Sequence, residues 1–431
     1  MTPLPGLVLL AALSTGLGAQ ATLPVPPADV QRFTATVQRL GKAGTFSGVA
    51  LVAQGDRILY RQAYGLADLA HGEPNGADTR FNLASVGKLF TAVAILQLAQ
   101  AGKLSLDVPV GQYLPDYPNP VVREAVTVRQ LLNHTSGLDD YFTEAFEGAS
   151  KDRFRNLRDF LPLFAEKPLR FTPGSDQWYS NAGFLVLGLI VERQSGLSYF
   201  DYVETHVFQP AGMTHAGFDE ADFPSPRVAT GYFPSKARPG RWQSNLFQHV
   251  VKGVPAGGAW ATAEDLLRFV RALTGGRLLD PEHTRLALTP AKDLRGAAYG
   301  VVRVKDRTIY GHAGGFPGIG ASLNHGLETG LTVILFSNQD RADWALLDAA
   351  AQRLLVGELP HHADLAFTRE VADLAATGGR DAALAHLRAH PEGRLMEPFL
   401  KDLLDEATWE GRTRLAEALK GLLPPAQPPS R

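Results

Sequence analysis

The chain has 431 residues, 45% of them hydrophobic and 20% charged, so it can bury a large core and form more than one domain. A formal net charge of -2, without a basic run, provides no field that would attract nucleic acid or anionic lipid. Since cysteine is absent, disulfides and thiolate metal sites are excluded. We therefore expect a globular protein that binds a small-molecule or peptide substrate and no nucleic acid.

Residues 1–21 have the pattern of a signal peptide. Leu7–Ala19 is a short apolar run, and Ala19-Gln20-Ala21 fits the small-x-small rule for signal cleavage. Residues 1–6 carry no Lys or Arg, which departs from the usual pattern. The run is too short to span a bilayer, and no cysteine follows it to carry a lipid. We expect export to the periplasm or the extracellular space, without an integral membrane span.

The first strand patterns follow this segment. Phe46–Ala53 and Arg57–Tyr64 have the composition of strands, and the turn residues Gln54-Gly55-Asp56 separate them. This arrangement predicts a hairpin at the start of a sheet.

A serine and a lysine lie three residues apart at the start of the next helix pattern. Ser85 and Lys88 precede Leu89–Leu98, which is apolar nearly all round, as is typical of a buried helix. The spacing places both side chains on one helical face, where a poorly solvated neutral amine can accept the serine proton. The alternative is an ordinary N-cap serine and a surface lysine. No other serine in the chain has Lys at the third position after it, which favours a nucleophile and its base.

A second polar cluster lies in the middle of the chain. Helix patterns there cover residues 126–132, 157–164, 182–194, 199–207 and 263–273. Tyr179 and Asn181 immediately precede the apolar pattern at 182–194. Near a lysine ammonium the pKa of the phenol would fall, so Tyr179 is a candidate proton shuttle, and the Asn181 amide can both donate and accept. The alternative is a core aromatic residue followed by an N-cap pair.

The third cluster lies among the later strands. Strand patterns return at 299–304, 308–312, 321–325 and 331–337, and a helix pattern follows at 343–355. His312, Gly314 and Gly315 lie where the second of these strands ends. Glycines there let a substrate approach the strand, whose free N–H groups can stabilise an oxyanion, although a plain turn with a surface histidine is the alternative.

The order of these patterns predicts an α+β fold. Strands at both ends would form one antiparallel β-sheet flanked by N- and C-terminal helices, with an inserted all-helical region at about 85–285. From about residue 360 the composition changes to Ala and Leu with charges at helical spacing. This pattern predicts a small helical domain at 360–423, whose helices could contact a protein partner, and a disordered tail at 424–431.

The C-terminal region contains one pair of histidines with the spacing of metal ligands. His386 and His390 are four residues apart on a predicted helix. No Glu follows His386 as a zincin requires, and Pro391 ends the helix, so two histidines at the negative helix C-terminus explain the pattern better. We expect neither a metal nor a cofactor.

Together, the three clusters resemble the motifs of one enzyme family. Ser85-Val86-Gly87-Lys88, Tyr179-Ser180-Asn181 and His312-Ala313-Gly314 are similar to the Ser-x-x-Lys, Tyr-x-Asn and His-x-Gly motifs of the serine hydrolase family of class C β-lactamases, D-alanyl-D-alanine carboxypeptidases and related esterases. The stretch at 131–138 looks like this family as well. The resemblance covers roughly residues 29–355 and implies a β-lactamase/transpeptidase-like hydrolase domain there.

The resemblance also implies a role for each motif. Ser85 would attack a carbonyl and form an acyl-enzyme, while Lys88 and Tyr179 would move protons. Asn181 would orient Lys88 and the amide of the substrate. The backbone N–H groups of Ser85 and Gly315 would form the oxyanion hole. Whether Lys88 or Tyr179 is the base stays open.

One departure from the family pattern bears on the substrate. His312-Ala313-Gly314 stands where the β-lactamases of this family typically have Lys-Thr-Gly. A mostly neutral imidazole and a methyl group replace the cation and the hydroxyl that suit a β-lactam carboxylate. We therefore expect inefficient β-lactam hydrolysis and an ester, an amide or a D-amino-acid peptide as substrate. Arg341, just past the last strand pattern, is a candidate replacement contact for a carboxylate.

The alternative function is non-catalytic. A protein with the same cleft could bind a peptide or a cell-wall fragment without reacting with it. Three intact polar motifs favour an enzyme, because a buried lysine is costly to retain once its chemistry is lost.

Overall fold

The computed structural model describes residues 23–290 and 300–424. The predicted signal peptide, and the predicted tail from residue 425 onward, lie outside these ranges. The strands are β1 (Gly48–Gln54), β2 (Arg57–Tyr64), β3 (Leu66–Asp68), β4 (Glu73–Pro74), β5 (Phe81–Asn82), β6 (Tyr232–Pro234), β7 (Trp242–Ser244), β8 (Trp260–Ala261), β9 (Val301–Val304), β10 (Arg307–Phe316), β11 (Ile319–Gly326) and β12 (Leu331–Ser337).

The α-helices are α1 (Pro27–Ala43), α2 (Lys88–Gln100), α3 (Pro120–Ala125), α4 (Val128–Leu132), α5 (Glu144–Gly148), α6 (Leu161–Phe164), α7 (Asn181–Ser195), α8 (Tyr199–Val203), α9 (Gln209–Ala211), α10 (Ala263–Thr274), α11 (Pro281–Ala287), α12 (Trp344–Val356), α13 (Pro360–Ala389), α14 (Glu397–Trp409) and α15 (Thr413–Lys420). Shorter 3-10 turns cover Ala84–Gly87, Val110–Gln112, Lys151–Arg153 and Leu157–Phe160, and a π-helical turn covers Glu204–Phe208.

The main sheet has six antiparallel strands in the order β2-β1-β12-β11-β10-β9. The first hairpin therefore joins the last strands directly, with Leu51 of β1 opposite Ile334 of β12. Both of these central strands are apolar along nearly their whole length, because both faces of the sheet are covered. The predicted α+β fold, an antiparallel sheet flanked by N- and C-terminal helices, is confirmed.

The region between β2 and β9 is mainly helical, but it also contains short strand pairs. β5 pairs with β8, and β6 pairs with β7. These pairs contain only two or three residues per strand, too few for an alternating pattern to appear in the sequence.

The two faces of the sheet belong to two hydrophobic clusters. Alternate residues of β1 point to opposite faces, so Val49 and Leu51 join one cluster while Ala50 and Val52 join the other. The first cluster includes α2, α7 and α10, and the second includes α1, α12 and the C-terminal helices α13, α14 and α15. The boundary of a separate domain at 360–423, and a protein partner for it, stay predictions.

Helix α2 is buried all round, including Lys88 at its first position. Helix α13 is interrupted at Gly379, where φ is +71°. Within the described ranges, no helix is both long enough and apolar enough to cross a membrane. The same residues include no group of three or more His, Asp or Glu side chains placed to hold a metal ion, and the ring of His390 contacts the carbonyl oxygen of His386 at the end of α13.

Candidate active site

Ser85 lies in the 3-10 turn at Ala84–Gly87, which connects β5 to α2. Ala84 has a φ of +40°, a left-handed value that is uncommon for a residue with a side chain and is often found next to functional groups. The turn is held from two sides: Asn82 Oδ1 accepts a hydrogen bond from the Ala84 N–H at 2.9 Å, and the Ala84 carbonyl accepts one from the Gly258 N–H at 3.1 Å. The serine is therefore presented by a constrained backbone.

Lys88 is fully buried beside Ser85. Its Nζ lies 3.1 Å from Ser85 Oγ, 2.7 Å from Asn181 Oδ1 and 2.5 Å from the Ala256 carbonyl oxygen. Burial lowers the pKa of Lys88 to about 7, while the charge of Asp140 acts in the opposite direction. A neutral amine has two N–H groups and one lone pair. Asn181 and Ala256 can accept the two N–H groups, which leaves the lone pair for the hydroxyl of Ser85.

Tyr179 contacts both of these groups. Its side chain is hydrogen-bonded to Ser85, and its ring centroid lies 4.8 Å from Lys88 Nζ. The sequence-based expectation of a lowered phenol pKa is wrong: burial raises the pKa of Tyr179 to about 12, although the hydrogen bond with Ser85 lowers it. The expectation assumed a permanent ammonium, whereas burial favours the neutral amine of Lys88. Tyr179 is thus a proton donor at neutral pH, and Lys88 is the better acceptor.

Asn181 is the first residue of α7 and links Lys88 to a carboxylate that the sequence analysis did not identify. Its Nδ2 donates to Asp140 Oδ2 at 2.8 Å, and its backbone N–H donates to the same oxygen at 3.2 Å. Asp140 lies two residues after the family-like stretch at 131–138. A pair of acidic residues there, Asp139 and Asp140, has the appearance of polar loop residues, and only the tertiary fold brings Asp140 to α7.

His134 is a second residue to which the sequence analysis assigned no role. Its ring centroid lies 4.4 Å from that of Tyr179 and 5.3 Å from that of Phe184. The Ser180 N–H donates to His134 Nδ1 at 3.2 Å, so a neutral imidazole carries its hydrogen on Nε2. Burial lowers the pKa of His134 to about 3, so this ring is an uncharged packing partner of Tyr179.

The third motif lies within a strand. The sequence predicted a strand end at His312, but β10 continues to Phe316. The reason is the hairpin with β11, whose pairing extends from Ile309 through the glycines to the last residue of β10. A Cβ atom on Gly314 would lie 2.7 Å from the backbone nitrogen of Ser85. Only glycine therefore lets β10 approach the Ser85 turn this closely.

The backbone N–H of Gly315 points to the β9 side of β10. Successive residues of a strand direct their N–H groups alternately to the two neighbouring strands. Gly311 donates its N–H to the carbonyl of Gly300, on the side of β9, at 2.6 Å. Gly315 lies four residues further, so its N–H points to the same side, beyond the residues of β10 that pair with β9. The Ser85 turn also contacts β10. This direction suits an oxyanion hole shared with the Ser85 N–H.

His312 lies near Tyr179, with 6.2 Å between the ring centroids. Its Nδ1 is 2.5 Å from the Ala313 carbonyl oxygen, to which it can donate. Burial, and in addition the charge of Lys88, lower the pKa of His312 to about 4. His312 is therefore an uncharged imidazole at neutral pH.

Arg341 is not a carboxylate contact in this cleft, so that expectation is wrong. Its Nη1 lies 2.6 Å from Oε1 of Glu406, on α14, and 2.7 Å from Oε1 of Glu410, just after this helix. Its guanidinium packs over the rings of Trp242 and Trp409. The carboxylates of Glu406 and Glu410 thus pair with the guanidinium that the sequence indicated as a contact for a substrate.

A cavity of about 350 Å³ opens beside Ser85. Its lining includes the side chains of Tyr141, Phe142, Phe146, Val250, Val251, Val254, Trp260, Phe316 and Ile319. No Lys, Arg, Asp or Glu is among the described residues that line it. The polar groups at its surface are those of the Ser85 site, Asn82 and His249, and burial lowers the pKa of His249. The cavity is therefore suited to an uncharged, apolar group.

Comparisons with known proteins match the same part of the chain. The Beta-lactamase family model matches residues 33–358. The chain is 36% identical to Esterase EstB of Burkholderia gladioli over 278 residues, 57% of this chain and 70% of that protein. It is 29% identical to Penicillin-binding protein 4* of Bacillus subtilis over 342 residues, 74% of this chain and 75% of that protein. The crystal structure of a penicillin binding protein from Bacillus halodurans matches with a TM-score of 0.67 and 36% identity, covering 74% of this chain and 98% of that chain.

Proposed function

Because this chain belongs to the Beta-lactamase family, we propose that it is a serine hydrolase that acts through an acyl-enzyme on Ser85. One observation carries the proposal: a fully buried lysine lies 3.1 Å from the serine hydroxyl and contacts only uncharged acceptors. A lysine held in this way can accept a proton near neutral pH.

The first half of the reaction follows from these contacts. Neutral Lys88 takes the proton of the Ser85 hydroxyl as Oγ attacks the carbonyl carbon of the substrate. The N–H groups of Ser85 and Gly315 stabilise the oxyanion, and each such donor contributes about 3 to 4 kcal/mol in transition-state stabilisation. The phenol of Tyr179 donates a proton to the leaving group, so that an alcohol or amine departs and an ester on Ser85 remains.

Water completes the cycle. It attacks the ester carbonyl and loses a proton to the phenolate of Tyr179, while the ammonium of Lys88 returns its proton to Ser85 Oγ as the acid product leaves. Since the last step reverses the first with water in place of the leaving group, it requires no further catalytic residue.

The proposed substrate is an uncharged ester or amide with an apolar acyl or leaving group. The cavity beside Ser85 has aromatic and aliphatic walls and no charged side chain among its described lining. A β-lactam or a peptide with a free terminal carboxylate would find no cation there, because His312 is neutral and Arg341 is paired with α14. We therefore propose that such anionic substrates react much more slowly than neutral esters.

A side-by-side assay tests this function. A short p-nitrophenyl ester, a chromogenic cephalosporin and a D-Ala-D-Ala peptide are compared with the wild type, Ser85→Ala and a control, Ser175→Ala. Ser175 is an exposed serine whose hydroxyl donates only to the Thr172 carbonyl. We expect turnover of the ester, at least about 1,000-fold lower rates for Ser85→Ala, and no change for Ser175→Ala.

The non-catalytic alternative gives a different result. A fluorophosphonate probe should transfer its phosphonyl group to Ser85 of the wild type with loss of fluoride, which appears as a mass increase on the peptide that contains this residue. A binding protein would show no adduct and no turnover that depends on Ser85.

We also propose that the chain is exported, on the basis of the apolar run and the small-x-small pattern before residue 22. Mass spectrometry of the N-terminus of the mature protein tests this proposal. Cleavage after Ala21 or a neighbouring small residue would support it, and an intact N-terminus on a protein retained in the cytoplasm would contradict it.

A further inference from the structure

Asp140 accepts hydrogen bonds from two parts of the site through its carboxylate. Oδ2 accepts hydrogen bonds from the side-chain Nδ2 and the backbone N–H of Asn181, at 2.8 and 3.2 Å. Oδ1 accepts hydrogen bonds from the backbone N–H groups of Tyr141 and Phe142, at 2.7 and 3.4 Å. Tyr141 and Phe142 both line the cavity beside Ser85. One carboxylate therefore connects the start of α7 with the aromatic wall of the cavity.

The contact with Nδ2 decides which way the Asn181 amide faces. A carboxylate accepts hydrogen bonds and does not donate them, so Asp140 selects the orientation in which Nδ2 faces it. Oδ1 is then directed to Lys88 Nζ, at 2.7 Å. In the opposite orientation Nδ2 would face the amine and compete for the lone pair that has to receive the serine proton. Asp140 thus keeps an acceptor, and not a donor, beside Lys88.

Asp140 also contributes a negative charge close to the amine. Other groups that face Lys88 are the phenol of Tyr179 and the imidazoles of His134 and His312, which are uncharged at neutral pH. Among these neighbours Asp140 is therefore the only formal charge. It favours the ammonium form, and so it partly offsets the effect of burial on the pKa of Lys88.

We propose that Asp140 is a positioning residue for acyl transfer, which orients the Asn181 amide so that Lys88 is held as a proton acceptor and ties this arrangement to the aromatic wall of the acyl cavity. The inference rests on the proposed hydrolase function and deepens it. It assigns to Asp140 two separable effects, one that depends on position and one that depends on charge.

Three substitutions separate these effects. Asp140→Asn keeps the shape and removes the charge, Asp140→Ala removes both, and Asp140→Glu keeps the charge. The matched control is Asp139→Asn, since the Asp139 carboxylate pairs with Arg170 at 3.0 Å and does not contact Asn181. The measurement is the pH dependence of kcat/KM with a short p-nitrophenyl ester, together with the melting temperature of each variant.

We expect the acidic limb of the profile to move to lower pH by about half a unit in Asp140→Asn, because loss of the negative charge lowers the pKa of Lys88. In Asp140→Ala the plateau value of kcat/KM should fall about 100-fold, because the Asn181 amide is no longer oriented. Asp140→Glu should keep the wild-type limb at a reduced plateau, and Asp139→Asn should match the wild type in both. A purely structural role would lower the melting temperature and leave the limb unmoved.

The outcomes distinguish this inference from the proposed function. If the wild type forms a fluorophosphonate adduct on Ser85 but Asp140→Asn and Asp140→Ala keep the wild-type limb and plateau, the role of Asp140 is refuted and the hydrolase stands. If the wild type forms no adduct and has no turnover that depends on Ser85, the function itself fails and the inference fails with it. If Asp140→Ala does not fold, Asp140→Asn and Asp140→Glu still decide the charge effect.

Discussion

Lys88 and Arg341 are two largely buried basic side chains near the β10–β11 hairpin, and they have opposite kinds of partners. Lys88 contacts a hydroxyl, an amide oxygen and a backbone carbonyl, none of them charged. Arg341 is paired with the carboxylates of Glu406 and Glu410 and packs over two tryptophan rings.

The difference shows how a buried cation becomes reactive or structural. Carboxylate partners stabilise the charged form of a buried base, and a guanidinium is charged in proteins whatever surrounds it. Uncharged partners in a poorly solvated core do not stabilise the charged form in this way. Burial therefore lowers the pKa of Lys88 to about 7. We infer that Lys88 takes part in the chemistry, and that Arg341 attaches the C-terminal helices to the sheet.

The largest effect should come from giving Lys88 a permanent charge. In Lys88→Arg the guanidinium cannot accept the serine proton, so kcat/KM for a p-nitrophenyl ester should fall about 10,000-fold. The control is Lys103→Arg, at an exposed lysine on the turn after α2, which should keep wild-type activity. Activity within about tenfold of the wild type in Lys88→Arg would show that this lysine is not the base.

A smaller effect should come from displacing the Ser85 turn without changing any charge. In Gly314→Ala the new methyl group would collide with the Ser85 backbone, and displacement of the nucleophile should lower kcat/KM about 100-fold. In Gly315→Ala the nearest atom to the new Cβ is 3.9 Å away, and the backbone N–H is retained. Equal losses in the two variants would contradict the close approach of β10 to the Ser85 turn.

The smallest effect on activity should come from a substitution of Arg341. Arg341→Met removes the guanidinium that pairs with Glu406 and one of the two cationic partners of Glu410, so the free energy of unfolding should fall by about 2 kcal/mol. The value of kcat/KM should stay within about threefold of the wild type. Urea unfolding and initial rates measure the two quantities. A large loss of activity at unchanged stability would mean that Arg341 contacts the substrate after all.

The parts of the fold and the site that depend on local pattern could be predicted from the sequence. The spacing of Ser85 and Lys88 within one helical turn placed them together, and the apolar residues of α2 indicated a buried amine. The strands of the main sheet followed from their β-branched and apolar runs. For Tyr179 and Asn181 the spacing alone was ambiguous, and their motif became informative only together with the other two.

The parts that depend on tertiary contacts could not be predicted. Ala256 contributes a backbone carbonyl, which has no signature in the sequence. Asp140 and Arg341 are charged residues in connecting segments, where most such residues face solvent. The packing of α7 against the segment after α4 brings the Asp140 carboxylate to the site. The packing of α14 against the segment after β12 pairs the Arg341 guanidinium with carboxylates outside it.

The most direct test of the account is the pH dependence of the rate at which a fluorophosphonate modifies Ser85. This step needs the serine to lose its proton and does not depend on release of a product. We expect the rate to rise with pH through a midpoint near the Lys88 pKa of about 7 and then to reach a plateau, because the neutral amine is the reactive form. The same midpoint should persist in Tyr179→Phe at a lower plateau. A midpoint near the ordinary lysine value of 10.5, or a midpoint that disappears with the Tyr179 hydroxyl, would contradict the claim that a neutral Lys88 activates Ser85.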